Sequence, residues 1–183
     1  SLIEADSVII ESFSAFLMIA LYLVYSTVLS NCHSAFSEIQ PSMINWEESL
    51  KDSEWFHWTG ITPALSQGSL DALRDGLKLA RKKGITVTAD PTYRSGLWKY
   101  GQDPKEALSE LLEYSTIYVG GINEINEVLG ANYTYSNEDF IEASKQLMIR
   151  FPSIEKVFDK IRTSVNSSWH KIRARMWNGK DFR

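Results

Sequence analysis

Two periods of apolar residues follow one another along most of this chain. The run Glu54-Trp55-Phe56-His57-Trp58-Thr59 is short, rich in aromatics and followed by Gly60 and Pro63, which predicts a buried strand ending in a loop. From Ser66 to Lys83 the apolar positions Leu70, Leu73, Leu77 and Ala80 recur every three or four residues, the spacing of a helix with one buried face. Ser66 or Ser69 suits its N-cap, and Arg81, Lys82 and Lys83 before Gly84 suit its end, where cations complement the helix dipole. Ile85 to Asp90 is a β-branched run, Pro104 to Tyr114 has helical spacing, and Thr116 to Val119 is again a short apolar strand.

The same alternation continues. A short helix is predicted around Ile122 to Leu129, a longer one capped by Asn137 or Asp139 and reaching Arg150, and a strand from Ile154 to Ile161. Met176 and Trp177 before Asn178-Gly179 suggest a last hairpin arm with Asn-Gly as its turn. Strands that alternate with helices through short loops pair in parallel, because parallel neighbours need a crossover between them. The pattern predicts an α/β fold with a mostly parallel sheet.

Residues 1–31 do not share this pattern. Val8 to Leu29 is apolar apart from Glu11 and scattered hydroxyls, and its core from Phe13 approaches the length of a spanning helix. It reads equally as a buried helix or pair of strands. Glu4, Asp6 and Glu11 precede the run and the first basic residue is Lys51, the reverse of a secretory leader. Leu29-Ser30-Asn31-Cys32 resembles a lipoprotein cleavage site only faintly. The segment is therefore set apart from a domain at 32–183, with a cytoplasmic location expected and anchoring through residues 8–29 as the alternative.

Composition narrows the function. At 183 residues and 44% apolar content the chain can bury one sizeable core. A net charge of -4 argues against nucleic-acid binding, which draws its affinity largely from neutralised phosphates. The single cysteine, Cys32, excludes an intrachain disulfide, and no Cys/His cluster has the spacing of a structural zinc site. Neither GxxxxGK[ST] nor GxGxxG occurs. No Ser-His-Asp arrangement can be argued, and His57 in its apolar run reads as a core histidine.

In open parallel sheets ligands bind beyond the C-terminal ends of the strands, so the loops at those ends carry the candidate chemistry. The first, Thr59 to Leu65, has Gly60 for close backbone approach and the hydroxyls of Thr59 and Thr62; it also reads as an ordinary strand-to-helix turn. The second, Asp90-Pro91-Thr92-Tyr93-Arg94, brings a carboxylate, a hydroxyl, a phenol and a guanidinium within five residues. Arg94 can take a carboxylate or phosphate bidentately, or simply pair with Asp90 to shape the loop. The third, Gly120-Gly121-Ile122-Asn123-Glu124, opens a helix with an acidic group suited either to a metal or to the helix dipole.

Taken in order, SAFSEI (Ser34 to Ile39), INWEE, WFHWTGITPALS (Trp55 to Ser66), DPTYRSGLWKYG (Asp90 to Gly101) and NEVLG (Asn126 to Gly130) resemble the PfkB (ribokinase-like) carbohydrate kinases over Ser34 to Lys180. Within that family they are most similar to the kinases of sugar acids such as 2-dehydro-3-deoxygluconate. The resemblance implies a three-layer α/β/α core, here incomplete, and transfer of the terminal phosphoryl of ATP, with Mg2+, to a sugar hydroxyl. It implies that Arg94 binds the anionic end of the sugar acid, that Asp90, Thr59 and Gly60 complete that site, and that Arg162, Thr163 and Ser164 lie on the nucleotide side. Glu124 falls on the Glu of the family's Asn-x-x-Glu metal motif, but Gly121 falls on its Asn, leaving Asn123 as the substitute.

Two departures bear on activity. Leu29-Ser30-Asn31 stands where relatives have Tyr-Asp-Arg, which removes a sugar-binding Arg. The family's Gly-Ala-Gly-Asp, its anion hole and catalytic base, is not found in these 183 residues. The expectation is a chain that does not phosphorylate alone; the alternative is a binding or membrane-tethered protein on a ribokinase-like core. A homo-oligomer is left open.

Overall fold

The structure is a computed structural model that describes residues 35–164, 166 and 169–183. The chain divides into two units, Ser1–Glu38 and Ile39–Arg183, and the account below concerns the second. Of the first, only a 3-10 turn at Ala35–Glu38 is described. The apolar segment 8–29, Cys32 and the position of the missing Arg all lie outside the described residues.

A one-turn helix, α1 (Trp46–Ser49), precedes β1 (Trp55–Thr59), α2 (Gln67–Lys83), β2 (Thr86–Asp90), α3 (Pro104–Leu112) and β3 (Ile117–Val119). Two helices, α4 (Ile122–Leu129) and α5 (Asn137–Arg150), then lead to β4 (Lys156–Ser164) and β5 (His170–Trp177). The five strands lie in chain order, β1 to β4 parallel and β5 antiparallel to β4. The mostly parallel α/β fold predicted from the pattern is the fold observed.

One row of side chains explains the core. Trp58, Ala89, Tyr118, Val157 and Trp177 are register partners across the five strands, and all are buried. Strand side chains alternate between faces, so this row and its neighbours Phe56 and Val87 share one face of the sheet. Leu70, Leu73 and Leu77 of α2, Leu108 and Leu111 of α3, Ile122 and Ile125 of α4 and Phe140 and Leu147 of α5 join them in a single cluster. Right-handed crossovers between strands taken in order place successive helices on the same face, which is the arrangement this cluster records. Of the three layers expected, the described residues supply the sheet and one helical layer. The opposite face carries His57, Thr88, Ile117 and Lys156, again in register.

Local chemistry fixes the element ends. Ser66 caps α2, its Oγ accepting from the Ser69 N–H at 3.2 Å while the Ser69 Oγ accepts from the Ser66 N–H at 3.1 Å. Gly84 ends the helix at φ +72°, where a residue with a β-carbon is strained. Helix α5 is capped by Ser136, not by Asn137 or Asp139 as the sequence suggested. The Asp139 carboxylate instead accepts from the Thr134 N–H at 2.6 Å. Hydrogen bonding from the Thr134 side chain, and then from its backbone, holds the Asp139 pKa below the usual value. At the end of the chain the Asn178-Gly179 turn forms as predicted, pairing Trp177 with Phe182. The strand before it, however, begins at His170 and pairs with β4 over eight positions.

Candidate functional site

Two of the three candidate loops are locked together. The Gly60 N–H donates to the Asp90 carbonyl at 2.8 Å, continuing the β1–β2 ladder past Thr59 and its partner Asp90. A β-carbon on residue 60 would lie 2.6 Å from the Thr92 carbonyl oxygen, so the close approach that Gly60 permits is between the loops. Farther out, the Tyr100 hydroxyl donates to the Pro63 carbonyl at 2.5 Å, and burial pushes its pKa up to about 12. Trp98 stacks on Tyr100 with ring centroids 6.0 Å apart and packs on the core. The chain from Asp90 to Tyr100 is thus fastened to the first loop at both ends.

Arg94 stands between these fastenings. It is exposed and makes no ion pair among the described residues. The alternative of an Asp90–Arg94 pair is not formed: Asp90 Oδ1 accepts from the Thr92 hydroxyl at 2.5 Å instead. The Thr59 hydroxyl makes no hydrogen bond among the described residues, and its residue is half-buried at the same strand edge. Beside it His57, half-buried, has its pKa lowered chiefly by burial, with Asp90 opposing that shift.

The third loop adjoins the second. A cleft of about 350 Å3 is lined by Pro91 and Tyr93 from one and by Glu124, Glu127 and Val128 from α4. Gly121 is the N-cap of α4 and offers no side chain to it, so the Glu124 carboxylate folds back over it. Glu124 Oε2 lies 2.8 Å, and Asp159 Oδ1 3.6 Å, from the point where a Gly121 β-carbon would stand. Asn123 is exposed on the outer surface of α4. No group of three carboxylate, histidine or cysteine side chains able to hold a metal stands together among the described residues.

Two residues of this corner are not among the sequence candidates. Asp159, 1% exposed, sits on the core face of β4. Its Oδ2 takes the Arg175 guanidinium at 2.7 Å and 2.9 Å, while its Oδ1 has no hydrogen-bond partner. Tyr118, fully buried, also has an unpartnered hydroxyl; burial first, and then Glu124, Asp90, Glu127 and Asp159, hold its pKa well above the ordinary phenol value. The hydroxyl stays protonated and remains a donor.

The candidate nucleotide-side residues stand apart. Strand β4 continues past Phe158, the last residue paired with β3, as one arm of a hairpin with β5. Thr163 and Ser164 are exposed at the end of that arm, with Ser164 Oγ 3.0 Å from His170 Nδ1. The structure therefore joins Thr59, Gly60 and Asp90 at adjacent strand ends, carries Arg94 on the loop that follows, sets Glu124 across a cleft from Pro91 and Tyr93 of that loop, and leaves Arg162 to Ser164 on the hairpin.

Known proteins share this fold. No family model matches the chain. The 2-dehydro-3-deoxygalactonokinase of Haloferax volcanii is 32% identical over 80 residues, which are 44% of this chain and 25% of that protein. The solved neighbours are PfkB-family carbohydrate kinases. A 2-dehydro-3-deoxygluconokinase from Thermotoga maritima superposes with a TM-score of 0.72 at 26% identity, covering 83% of this chain and 46% of that one. A PfkB family carbohydrate kinase from Listeria grayi gives a TM-score of 0.71 at 23% identity, over 82% and 45%. A structure described as a ribokinase II from E. coli, in complex with ATP and Mg2+, shares the fold at TM-score 0.59 and 18% identity, over 80% and 41%. The chain spans less than half the length of each of these proteins.

Proposed function

We propose that the chain forms part of an ATP-dependent, PfkB-type kinase of 2-dehydro-3-deoxygluconate or a related sugar acid, and that these 183 residues alone bind the sugar acid without transferring phosphoryl to it. The observation that carries this reading is Arg94. It is held at the strand ends by two fastened loops, yet its guanidinium is exposed and unpaired. A planar guanidinium matches a carboxylate bidentately, and the carboxylate is what sets a sugar acid apart from a neutral sugar. The gluconate and galactonate forms handled by the similar proteins both carry that group, so Arg94 supports the substrate class and does not choose between them.

Mg2+ fits the corner beside this loop. It favours hard oxygen ligands and is commonly bound through one or two carboxylates, with the remaining positions left to water and substrate phosphates. Glu124 Oε2 and the orphaned Asp159 Oδ1 turn toward one point above Gly121. Bound there, Mg2+ would neutralise charge on the phosphates of ATP. Glu124 is the residue proposed to hold it, Asn123 being turned outward. Arg162, Thr163 and Ser164 are proposed to meet the nucleotide from the hairpin. Phosphoryl transfer also needs an anion hole and a group that positions the attacking hydroxyl, and the sequence holds no Gly-Ala-Gly-Asp to supply them.

Heat unfolding with either sugar acid and with Mg-ATP, paired with an assay for ADP, tests both halves. A ligand that binds only the folded state adds about 2.7 kcal/mol at 100 times its Kd. Stabilisation by a sugar acid without ADP formation supports the proposal. A cooperative transition that no ligand shifts overturns the binding role, and ADP formation dependent on the sugar overturns the inactivity.

A further inference from the structure

Glu124 alone makes a weak cation site, and the structure indicates where a second ligand comes from. We infer that Asp159 supplies the second carboxylate of a divalent-cation site with Glu124, and that Arg175 holds it in place; this rests on the metal role proposed for Glu124.

Asp159 is buried, where a carboxylate with an unused oxygen is costly. Arg175 satisfies Oδ2. Oδ1 is left without a protein partner and is aimed at the start of α4, at the point that Glu124 Oε2 also approaches. A buried acceptor of this kind needs a donor or a cation, and Tyr118, with its own unpartnered hydroxyl, bounds the same corner next to Gly120.

Arg175 does not cancel the site. Its guanidinium is also bound to the carbonyls of Tyr135 and Ser136 at 2.9 Å and to Asn137 Oδ1 at 3.2 Å, and it lies 4.5 Å from the centre of the Phe140 ring. These groups share its donors with Asp159 Oδ2. Glu124 and Asp159 bring two carboxylates to the corner against the one guanidinium bound to Asp159, and the missing side chain at Gly121 leaves open a point that both oxygens approach. Two carboxylates with open positions suit Mg2+ or Mn2+ better than Zn2+, which favours nitrogen and sulfur.

Mn2+ titration of the full chain, followed by the EPR signal of the free ion, tests this without turnover. The unmodified chain is expected to bind one Mn2+, with affinity at least about tenfold weaker in Glu124→Gln and also in the double variant Asp159→Asn/Arg175→Met. The double variant removes both charges, so that neither is left buried alone. Loss in Glu124→Gln with full binding in the double variant overturns the role of Asp159 and leaves the proposed function standing; an unmodified chain that binds no Mn2+ overturns the site. Should the double variant fail to fold, line broadening of amide signals by Mn2+ in the unmodified chain decides. Broadening strongest at Gly120, Gly121 and Asp159 supports the site, and broadening centred elsewhere overturns it. The sugar-acid thermal shift, read separately, then decides the kinase reading.

Discussion

Gly60 and Thr92 meet backbone against backbone: a β-carbon on the first would stand 2.6 Å from the carbonyl oxygen of the second. Two consecutive strand exits are joined there, and the loop that carries Arg94 takes its position from the contact. The wall facing residue 60 is main chain and cannot turn aside as a side chain would. Gly60→Ala should therefore cost about 1–3 kcal/mol, as overpacking does. It should also weaken the response to sugar acid, since the second loop must move away. Heat unfolding with and without ligand reads both effects.

Arg94→Ala should separate binding from folding. The side chain is exposed and has no ion pair among the described residues, so the ligand-free melting temperature should stay as it is while the shift with sugar acid disappears. Arg94→Lys keeps the charge but not the fork, and should retain only part of the shift. An undiminished shift in Arg94→Ala would remove the residue from the site.

Arg175→Met should be among the most destabilising single changes, at about 3–5 kcal/mol, because it leaves the Asp159 carboxylate buried without its counter-charge. Asp159→Asn/Arg175→Met should recover most of that loss. Chemical denaturation of the single and double variants measures the difference.

Ser115→Ala should cost about 1–3 kcal/mol although it removes one oxygen. The Trp58 indole N–H, buried under α3, donates to that hydroxyl at 3.0 Å and would be left without an acceptor. Near-neutral stability in this variant would contradict the assignment.

His57 should give the fold a pH dependence. Its folded pKa lies below the ordinary 6.5, chiefly because of burial, so the unfolded chain binds its proton first as pH falls. The stability tied to neutral His57 is then full above about 6.5 and is lost as pH falls through the folded value. The melting temperature should decline on going from neutral pH into this range, and His57→Phe should flatten the slope. Glu47 and Asp139, whose pKa values are held below 4.5 and 3.8, titrate too low to mimic it.

Much of this architecture is legible in residue order because the governing interactions are local. Ser66 and Gly84 mark the two ends of α2, and the Leu70-Leu73-Leu77 spacing gives its buried face. The α5 cap was misassigned because Ser136, Asn137 and Asp139 are all capping types, and only the bond from the Asp139 N–H to Ser136 Oγ separates them. The start of β5 is not legible in the sequence because Lys171, Ile172, Arg173 and Ala174 are exposed on the hairpin and show no apolar alternation.

The site divides in the same way. Gly60, Asp90 and Glu124 stand at strand exits that the pattern itself locates. Asp159 and Arg175 are sixteen residues apart and meet only because β4 and β5 pair in one register. A charged residue on the Val157 side of β4 was the one available hint, and it becomes legible only once the length of that strand is known.

The order of the strands has a consequence for how the chain reaches its structure. Each described strand from β2 onward pairs with the one made just before it. The parallel pairs still close loops of about thirty to forty residues, through α2, α3 and the pair α4–α5, so each step waits for its crossover helix. On a ribosome, β1 and β2 with α2 between them can already bury Phe56, Trp58 and Val87 against Leu73 and Leu77 while the hairpin is still being translated. Assembly can then proceed from the N-terminal to the C-terminal side, one strand at a time, at the pace of synthesis.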